Sequence, residues 1–169
     1  MADVQTASLY EQDFYLWALD QVRAVHALRD AAAGRGDLSS ALTAIDWDNV
    51  IEELEGLATG VRSELRRRMG PIIEHLVKLE LSTATDPRRG WEETIQRSRY
   101  EIEFLLDDNP SLRREVAPIL LASVFAKMAS NVVTDLVRRG EIPGGTPVPS
   151  YTPNQILGDW RPGEPEPSP

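Results

Sequence analysis

The sequence predicts an all-α fold, a bundle of four to five helices with a proline-rich C-terminal tail docked on it. Three observations predict this. Apolar side chains recur every three to four positions from Phe14 to Leu136, the period of helices buried on one face. Helix start and stop signals fall between the runs, with hydroxyl and carboxylate residues ahead of them and Gly34, Gly36 and Gly140 behind. Eight of the twelve prolines lie beyond Glu141, so the residue least compatible with a helix interior is gathered into the tail.

Ser8-Leu9-Tyr10-Glu11 has the form of a capping box, a hydroxyl followed three residues later by a carboxylate. Phe14, Trp17, Gln21, Val25 and Leu28 then share one stripe, and Gly34 and Gly36 close this first helix. Residues 37–44 read as a linker with room for one helical turn. Asp46 is placed to cap the second helix, with Asp48 in its first turn. Trp47, Val50, Leu54, Leu57, Val61, Leu65, Met69, Ile72, Leu76 and Leu79 keep helical spacing, the strongest pattern in the chain. Unbroken to Leu81, that helix would be about 50 Å long, against a radius of gyration of about 15 Å for a compact domain of this size. Pro71 lacks an amide hydrogen and its ring meets the carbonyl of Arg67, which predicts a kink or break at Gly70-Pro71.

Asp86-Pro87-Arg88-Arg89-Gly90 reads as a loop, and Trp91, Ile95, Ile102, Leu105 and Leu106 mark a third helix. Asp107 to Pro110 is a turn, with Asn109 or Ser111 available to cap the next helix. Leu112, Val116, Leu120, Val124, Met128, Val132 and Leu136 define that fourth helix, kinked near its start by Pro118 and stopped by Arg138-Arg139-Gly140. A fully solvated tail has no physical need of Tyr151, Ile156, Leu157 and Trp160. The segment from Tyr151 to Trp160 is therefore expected to dock, with a short helical turn from Pro153. The expected organisation is a helical bundle over residues 1–139, a docked irregular tail over 140–161 and a disordered terminus over 162–169.

Composition narrows the function classes. A chain of 169 residues, 41% hydrophobic, suits one domain with a real core. The absence of cysteine removes disulfides, thiolate metal sites and cysteine nucleophiles, and fits the cytoplasm. The start, Met1-Ala2-Asp3-Val4-Gln5-Thr6, has neither the basic nor the apolar region of a signal peptide. The longest nearly apolar run, Ala117 to Ala126, stops at Lys127, well short of the ~20 residues a membrane span needs. Residues 1–139 carry 23 acids and 17 bases, and the remainder 4 acids and 1 base, for a net charge of −9. A duplex-binding protein normally carries a basic surplus, so nucleic acid is an unlikely partner. Neither a P-loop nor a Gly-x-Ser-x-Gly nucleophile elbow is present.

Several motifs together resemble one family. They are Tyr10-Glu11-Gln12-Asp13-Phe14-Tyr15-Leu16-Trp17, Glu52-Glu53, His75-Leu76-Val77-Lys78, and Trp91-Glu92-Glu93-Thr94-Ile95 with Arg99 and Ile102. Pro110-Ser111-Leu112-Arg113 and Tyr151-Thr152-Pro153-Asn154-Gln155-Ile156-Leu157 complete the set. In this order, from about Tyr10 to Trp160, they resemble the bacterial family called domain of unknown function twenty-nine. The resemblance implies an all-helical fold and carries no activity with it. The chain departs from the pattern at Pro71, at Phe125, where a tyrosine is common, and in a longer linker after Gly34.

Candidate chemistry is sparse. Glu52, Glu53 and Glu55 with His26 and His75 lack the Glu-x-x-His spacing of carboxylate-bridged metal bundles, and two imidazoles are too few for a three-histidine site. The acidic residues read more simply as a solvated face, and no metal or other cofactor is called for. Pivoting the second and third helices about Asp86 sets His75 level with Ser98 and Arg99, with Glu74 at the same height. That arrangement offers either a polar cluster of Glu52, Glu53, Glu74, His75 and Arg99, with His75 as acid or base, or an interhelical hydrogen bond that sets register. Arg62, Arg66, Arg67 and Arg68 form the most basic stretch, an anion contact in one reading and a set of local ion pairs, Asp13 with Arg68 among them, in the plainer one. Tyr10, Trp17, Trp47 and Trp91 sit at stripe positions and read as packing.

Three functions compete. The first is a non-enzymatic protein-interaction module, joined as a homodimer through the long second helix or to another protein, because a helix too long for its own domain has excess surface to bury. The second is an enzyme or small-ligand binder with a site around Glu53, His75 and Arg99. The third is a nucleic-acid accessory protein acting through the arginine run.

Overall fold

The structure, a computed structural model, describes residues 8–33 and 45–165. Among the described residues there are seven α-helices, one 3-10 helix and no strand. The chain is all-α. Gly34, Gly36 and the linker over 37–44 lie outside the described residues. The chain divides into two compact units. One is drawn from the described part of Met1–Ser63 with Asp108–Leu112, the other from Glu64–Asp107 with the described part of Arg113–Pro169.

The N-terminal unit begins with α1 (Leu9–Gln12) and α2 (Phe14–Ala33). The Ser8 amide donates to Glu11 Oε2 at 2.8 Å, half of the expected capping box. The first helix is nevertheless interrupted at Asp13, whose φ of −160° is extended backbone. The reason is that Asp13 starts a new helix. Its Oδ1 accepts the Leu16 amide at 2.8 Å, the side-chain cap that the first amides of α2 require. The same carboxylate accepts the Ser111 amide at 2.6 Å and the Ser111 hydroxyl at 2.9 Å, so one buried side chain caps two helix starts. Asn109 Oδ1 accepts the Tyr15 amide at 3.0 Å. The residues expected to cap their own helix thus serve the start of α2 or accept a cap from it.

The next helix, α3 (Trp47–Leu81), runs 35 residues without a break. Asp46 starts it, with Oδ1 accepting the Asn49 amide at 3.3 Å. Arg29 Nη1 lies 3.6 Å from Asp48 Oδ1 and ties the end of α2 to this start. Of the kink or break expected at Gly70-Pro71, no break is present, because the helix runs through Pro71. Proline's fixed φ is itself helical, and its interior cost is about 3 kcal/mol. Met69, Ile72 and Ile73 around it are buried, and fully burying each side chain contributes about 1.5–3 kcal/mol. Gly70 matters for a different reason: a Cβ there would stand 3.3 Å from Met128 Cε, so the missing side chain lets Met128 approach.

In the C-terminal unit, α4 (Arg88–Asp108) starts three residues ahead of Trp91, inside the expected loop. Arg88 is the cause. Its guanidinium donates to the Leu79 carbonyl at 2.8 Å and the Ser82 carbonyl at 3.4 Å, satisfying carbonyls left over at the end of α3. The expected fourth helix arrives in pieces: a 3-10 turn (Pro110–Glu115), α5 (Val116–Leu120) and α6 (Ser123–Arg138). Pro118 sits in the first turn of α5, where its missing amide hydrogen costs nothing. The bend instead falls at Leu121–Ala122 and measures 57°. Gly140, at φ 73°, ends α6, and the Glu141 amide reaches back to the Leu136 carbonyl at 3.0 Å.

The tail docks. Thr152 and Gln155 form a reciprocal capping box at 3.3 and 2.8 Å and start α7 (Pro153–Leu157), which puts Ile156 fully into the core. The chain then turns at Gly163, φ 93°, where Glu164 accepts from the Arg161 amide at 3.0 Å and the Trp160 indole at 3.3 Å. Residues 166–169 lie outside the described residues.

Candidate functional site

Two places in the molecule hold side chains that the fold alone does not use up. One is the first half of α3 in the N-terminal unit. The other is the polar ground around His75 and Arg99 in the C-terminal unit.

At about 100° per residue, the apolar positions of the first half of α3 spread over an arc of about 120°. Taken around the axis, the order is Leu57, Val50, Val61, Leu54, Trp47, Ala58, Ile51. Exposure falls from the Leu57 edge to the Ile51 edge. Leu57 and Val50 are 41% and 40% exposed, and Val61, Leu54 and Trp47 are half-buried. Ala58 and Ile51, at the far edge, are 5% and 6% exposed. The arc is wider than the surface that covers it, and its uncovered edge faces water. Past Leu57 the surface continues through Glu53, Gly60, Asn49 and Gly56. A Cβ added at Gly56 or Gly60 would meet nothing within 4 Å. Each glycine inside a helix costs about 1 kcal/mol against alanine, and the surroundings of these two give no internal reason for them. Glu52 and Glu53 stand exposed on this half of the helix.

The basic stretch comes next on the same helix. Glu64 takes Arg67 at 2.7 Å and Arg68 at 2.6 Å, and Arg68 also reaches Glu101 at 2.5 Å. The Arg67 hydrogen bond lowers the Glu64 carboxyl pKa, with burial the main opposing influence and the Arg68 and Arg67 charges adding to the lowering. Arg62 and Arg66 are exposed. Local ion pairing thus accounts for Arg67 and Arg68, with Glu64 and Glu101 as the acids. The Asp13 carboxylate, expected to pair with Arg68, is spent on Leu16 and Ser111.

Within the C-terminal unit Glu74 and Arg99, both members of the expected polar cluster, take separate partners. Glu74 holds Lys78 one turn along its own helix, at 2.5 Å. His75 is half-buried, and its ring stacks on Trp91 with centroids 6.5 Å apart and planes 18° from parallel. Its Nδ1 is buried without a hydrogen-bond partner among the described residues. Burial pushes the imidazole pKa down, Lys78 adds to this, and Glu74 opposes it. The hairpin pivots midway between Leu81 and Arg88. His75 lies six residues before Leu81, so its level partner is Thr94, six after Arg88, and not Ser98. The displacement is about one helical turn.

Arg99 does something the sequence does not suggest. It is 7% exposed and donates to three main-chain carbonyls of the tail. Its Nη2 reaches Gln155 O at 2.8 Å and Trp160 O at 2.9 Å, and its Nε reaches Ile156 O at 3.1 Å. Burial lowers its pKa, with Asp159 the main opposing influence. The guanidinium fork gathers the end of α7 and the strap after it, a positioning role. Tyr151 supplies a second tie, its hydroxyl 2.9 Å from Glu80 Oε2. Burial, then the Glu80 charge, pushes the phenol far above its usual range. Beyond Trp91 a cleft of about 680 Å³ opens, lined by Lys78, Trp91, Lys127, Met128, Asn131 and Arg139 among others.

Glu53 belongs to the N-terminal unit and His75 and Arg99 to the other, and the last two serve separate partners. Among the described residues, neither unit by itself brings together a nucleophile, base and orienting group. Among the described residues no three of His, Asp and Glu stand as metal ligands, and no single helix is long and apolar enough to cross a membrane.

The class is therefore an all-α protein of two helical units whose buried polar groups tie segments of the chain together. The chain belongs to the family described as Domain of unknown function DUF29, whose pattern matches residues 9–160. Neither the curated proteins nor the solved structures contain a significant match.

Proposed function

We propose that the protein is a bacterial, cytoplasmic interaction module without catalytic activity of its own, and that it presents the open edge of α3 to a protein partner. One observation carries this reading: exposure along the apolar arc runs from 6% at Ile51 to 41% at Leu57. An amphipathic helix is normally covered across its whole apolar stripe. The side chains left over here are contiguous along the helix, with the seven-residue spacing of Val50 and Leu57 that a partner helix reads. The absence of cysteine suits a reducing compartment.

A photo-crosslinking amino acid placed at position 57, and separately at Thr59 on the opposite face, tests the reading in the source cells. A discrete adduct from position 57 with none from position 59 is expected. No adduct from position 57, or equal smears from both, would remove the reading.

A further inference from the structure

Apart from the α3 edge, we infer that the cleft beside Trp91 in the C-terminal unit binds a small aromatic carboxylate, with Lys127 meeting its charge.

The walls of this cleft are pinned at both ends. At one end Gly70 admits Met128 to α3, where a Cβ would stand 3.3 Å from Met128 Cε. At the other, the Ser82 hydroxyl donates to Glu141 Oε2. The space held open is about 680 Å³, within the range of about 300–1,000 Å³ that small-molecule pockets occupy. From α6, Val124, Met128, Val132 and Leu136 border it, each one turn after the last. Trp91 borders it from the start of α4, its indole stacked on His75. The body of a ligand therefore meets an aromatic plane and a stripe of methyl and thioether groups. Both suit a ring, because an indole stacks on aromatic surfaces and a thioether sulfur contacts ring edges.

Charge selects the head group. Lys78, Lys127 and Arg139 border the cleft, and so do Glu74, Asp135 and Glu141. Glu74 holds Lys78 at 2.5 Å and Asp135 holds Arg139 at 2.7 Å. Glu141 accepts from Ser82. Lys127 makes no ion pair or hydrogen bond among the described residues, and neither does the side chain of Asn131 one turn further on. The uncommitted polar groups are thus one ammonium and one amide. One ammonium balances one negative charge. That selects a monocarboxylate over a phosphate, which is gripped by several donors or by a guanidinium fork. The chain has two lysines among its 18 cations, and both border this cleft. A lysine's flexible stem lets its charge follow a small ligand, where an arginine imposes a fixed fork. The net charge of −9 repels anions from the molecule as a whole, so a carboxylate held here reports these local donors.

Calorimetric titration of the full chain with cinnamate, cinnamyl alcohol and cinnamylamine tests this, since the three share one apolar body. Cinnamate is expected to bind with a dissociation constant of about 1 mM or tighter, the range for a ligand of this size. The alcohol should bind about fivefold more weakly, the value of one exposed charge pair, and the amine more weakly still. Lys127→Gln, at an exposed position where folding is not at stake, should cost cinnamate about the same factor and leave the alcohol unmoved. Arg66→Gln removes an exposed cation that does not border the cleft and should change neither. Asn131→Trp fills the cleft from an exposed position and should weaken cinnamate and alcohol alike. Acetylation of the two lysines, followed by mass spectrometry, should slow at Lys127 when cinnamate is present.

Cinnamate that fails to saturate below about 10 mM overturns the inference. So does equal affinity for the three probes, or a cinnamate affinity that Lys127→Gln leaves unmoved or that Arg66→Gln lowers as much. Undiminished binding by Asn131→Trp, or acetylation of Lys127 at the same rate with and without cinnamate, puts the ligand elsewhere and refutes the site.

Discussion

Replacing Arg99 with methionine keeps the length and the apolar stem of the side chain and removes only the guanidinium. Three carbonyls of the tail, those of Gln155, Ile156 and Trp160, then lose their donor in a site where Arg99 itself is 7% exposed. A buried acceptor left without a partner costs about 1–3 kcal/mol. Three of them set a nominal penalty of roughly 3–9 kcal/mol. The tail has an escape that caps the loss. It can lift away and hydrate its carbonyls, at the cost of exposing Ile156, which is fully buried and contributes about 1.5–3 kcal/mol. The ties through Tyr151 and the Thr152 capping box loosen with it. The net expectation is a loss of about 3–5 kcal/mol, comparable to breaking a buried charged pair. For a chain of 169 residues, at about 2–4 °C per kcal/mol, the melting temperature falls by roughly 6–20 °C. Thermal unfolding by circular dichroism measures the total, and hydrogen exchange over residues 151–160 locates it. Arg99→Lys should recover little, because one ammonium cannot span three carbonyls as the planar fork does. A melting temperature lowered by only a degree or two, with tail amides still protected, would refute the claim that this guanidinium holds the tail in place.

Two other substitutions probe buried polar groups in the same way. Asp13→Ala strips the cap from α2 and leaves the Ser111 amide without its acceptor. A loss of about 2–4 kcal/mol is expected, one cap plus one orphaned buried amide, read from urea unfolding; a shift below about 0.5 kcal/mol would show the clasp to be dispensable. His75 has a folded-state pKa held below its unfolded value by burial, with Lys78 adding to the shift and Glu74 opposing it. The unfolded chain therefore binds more protons between the two values, so stability rises with pH through that window and is lost as pH falls below about 6.5. His75→Leu should flatten the part of the stability profile below about pH 6.5 that this histidine contributes. An unchanged slope in the variant would assign the dependence to other groups.

What the residues determine alone is the all-α class and the apolar faces of the longer helices. The stripe from Trp47 to Leu79 and the capping box at Ser8 are local, the turn expected over Asp107–Pro110 shrinks to Asn109, and the docking of Tyr151 to Trp160 is signalled by the tail's own composition. Period, caps and the misfit of apolar residues in a proline-rich tail are enough to read them. The arc that carries Val50, Leu54 and Leu57 is legible for the same reason. Which edge of it stays uncovered is not, since exposure is a property of neighbours far along the chain. Tertiary structure also decided where the polar side chains go. Asp13 reaches Ser111 and Arg99 reaches Gln155 across long stretches of sequence, and no spacing rule connects them. His75 meets Trp91 because Arg88 starts α4 early and shifts the hairpin by a turn. Pro71 stays helical because the burial of Met69, Ile72 and Ile73 outweighs the bond it removes. Local propensity proposes elements within a turn or two, and long-range burial and hydrogen bonding choose among the pairings those elements leave open.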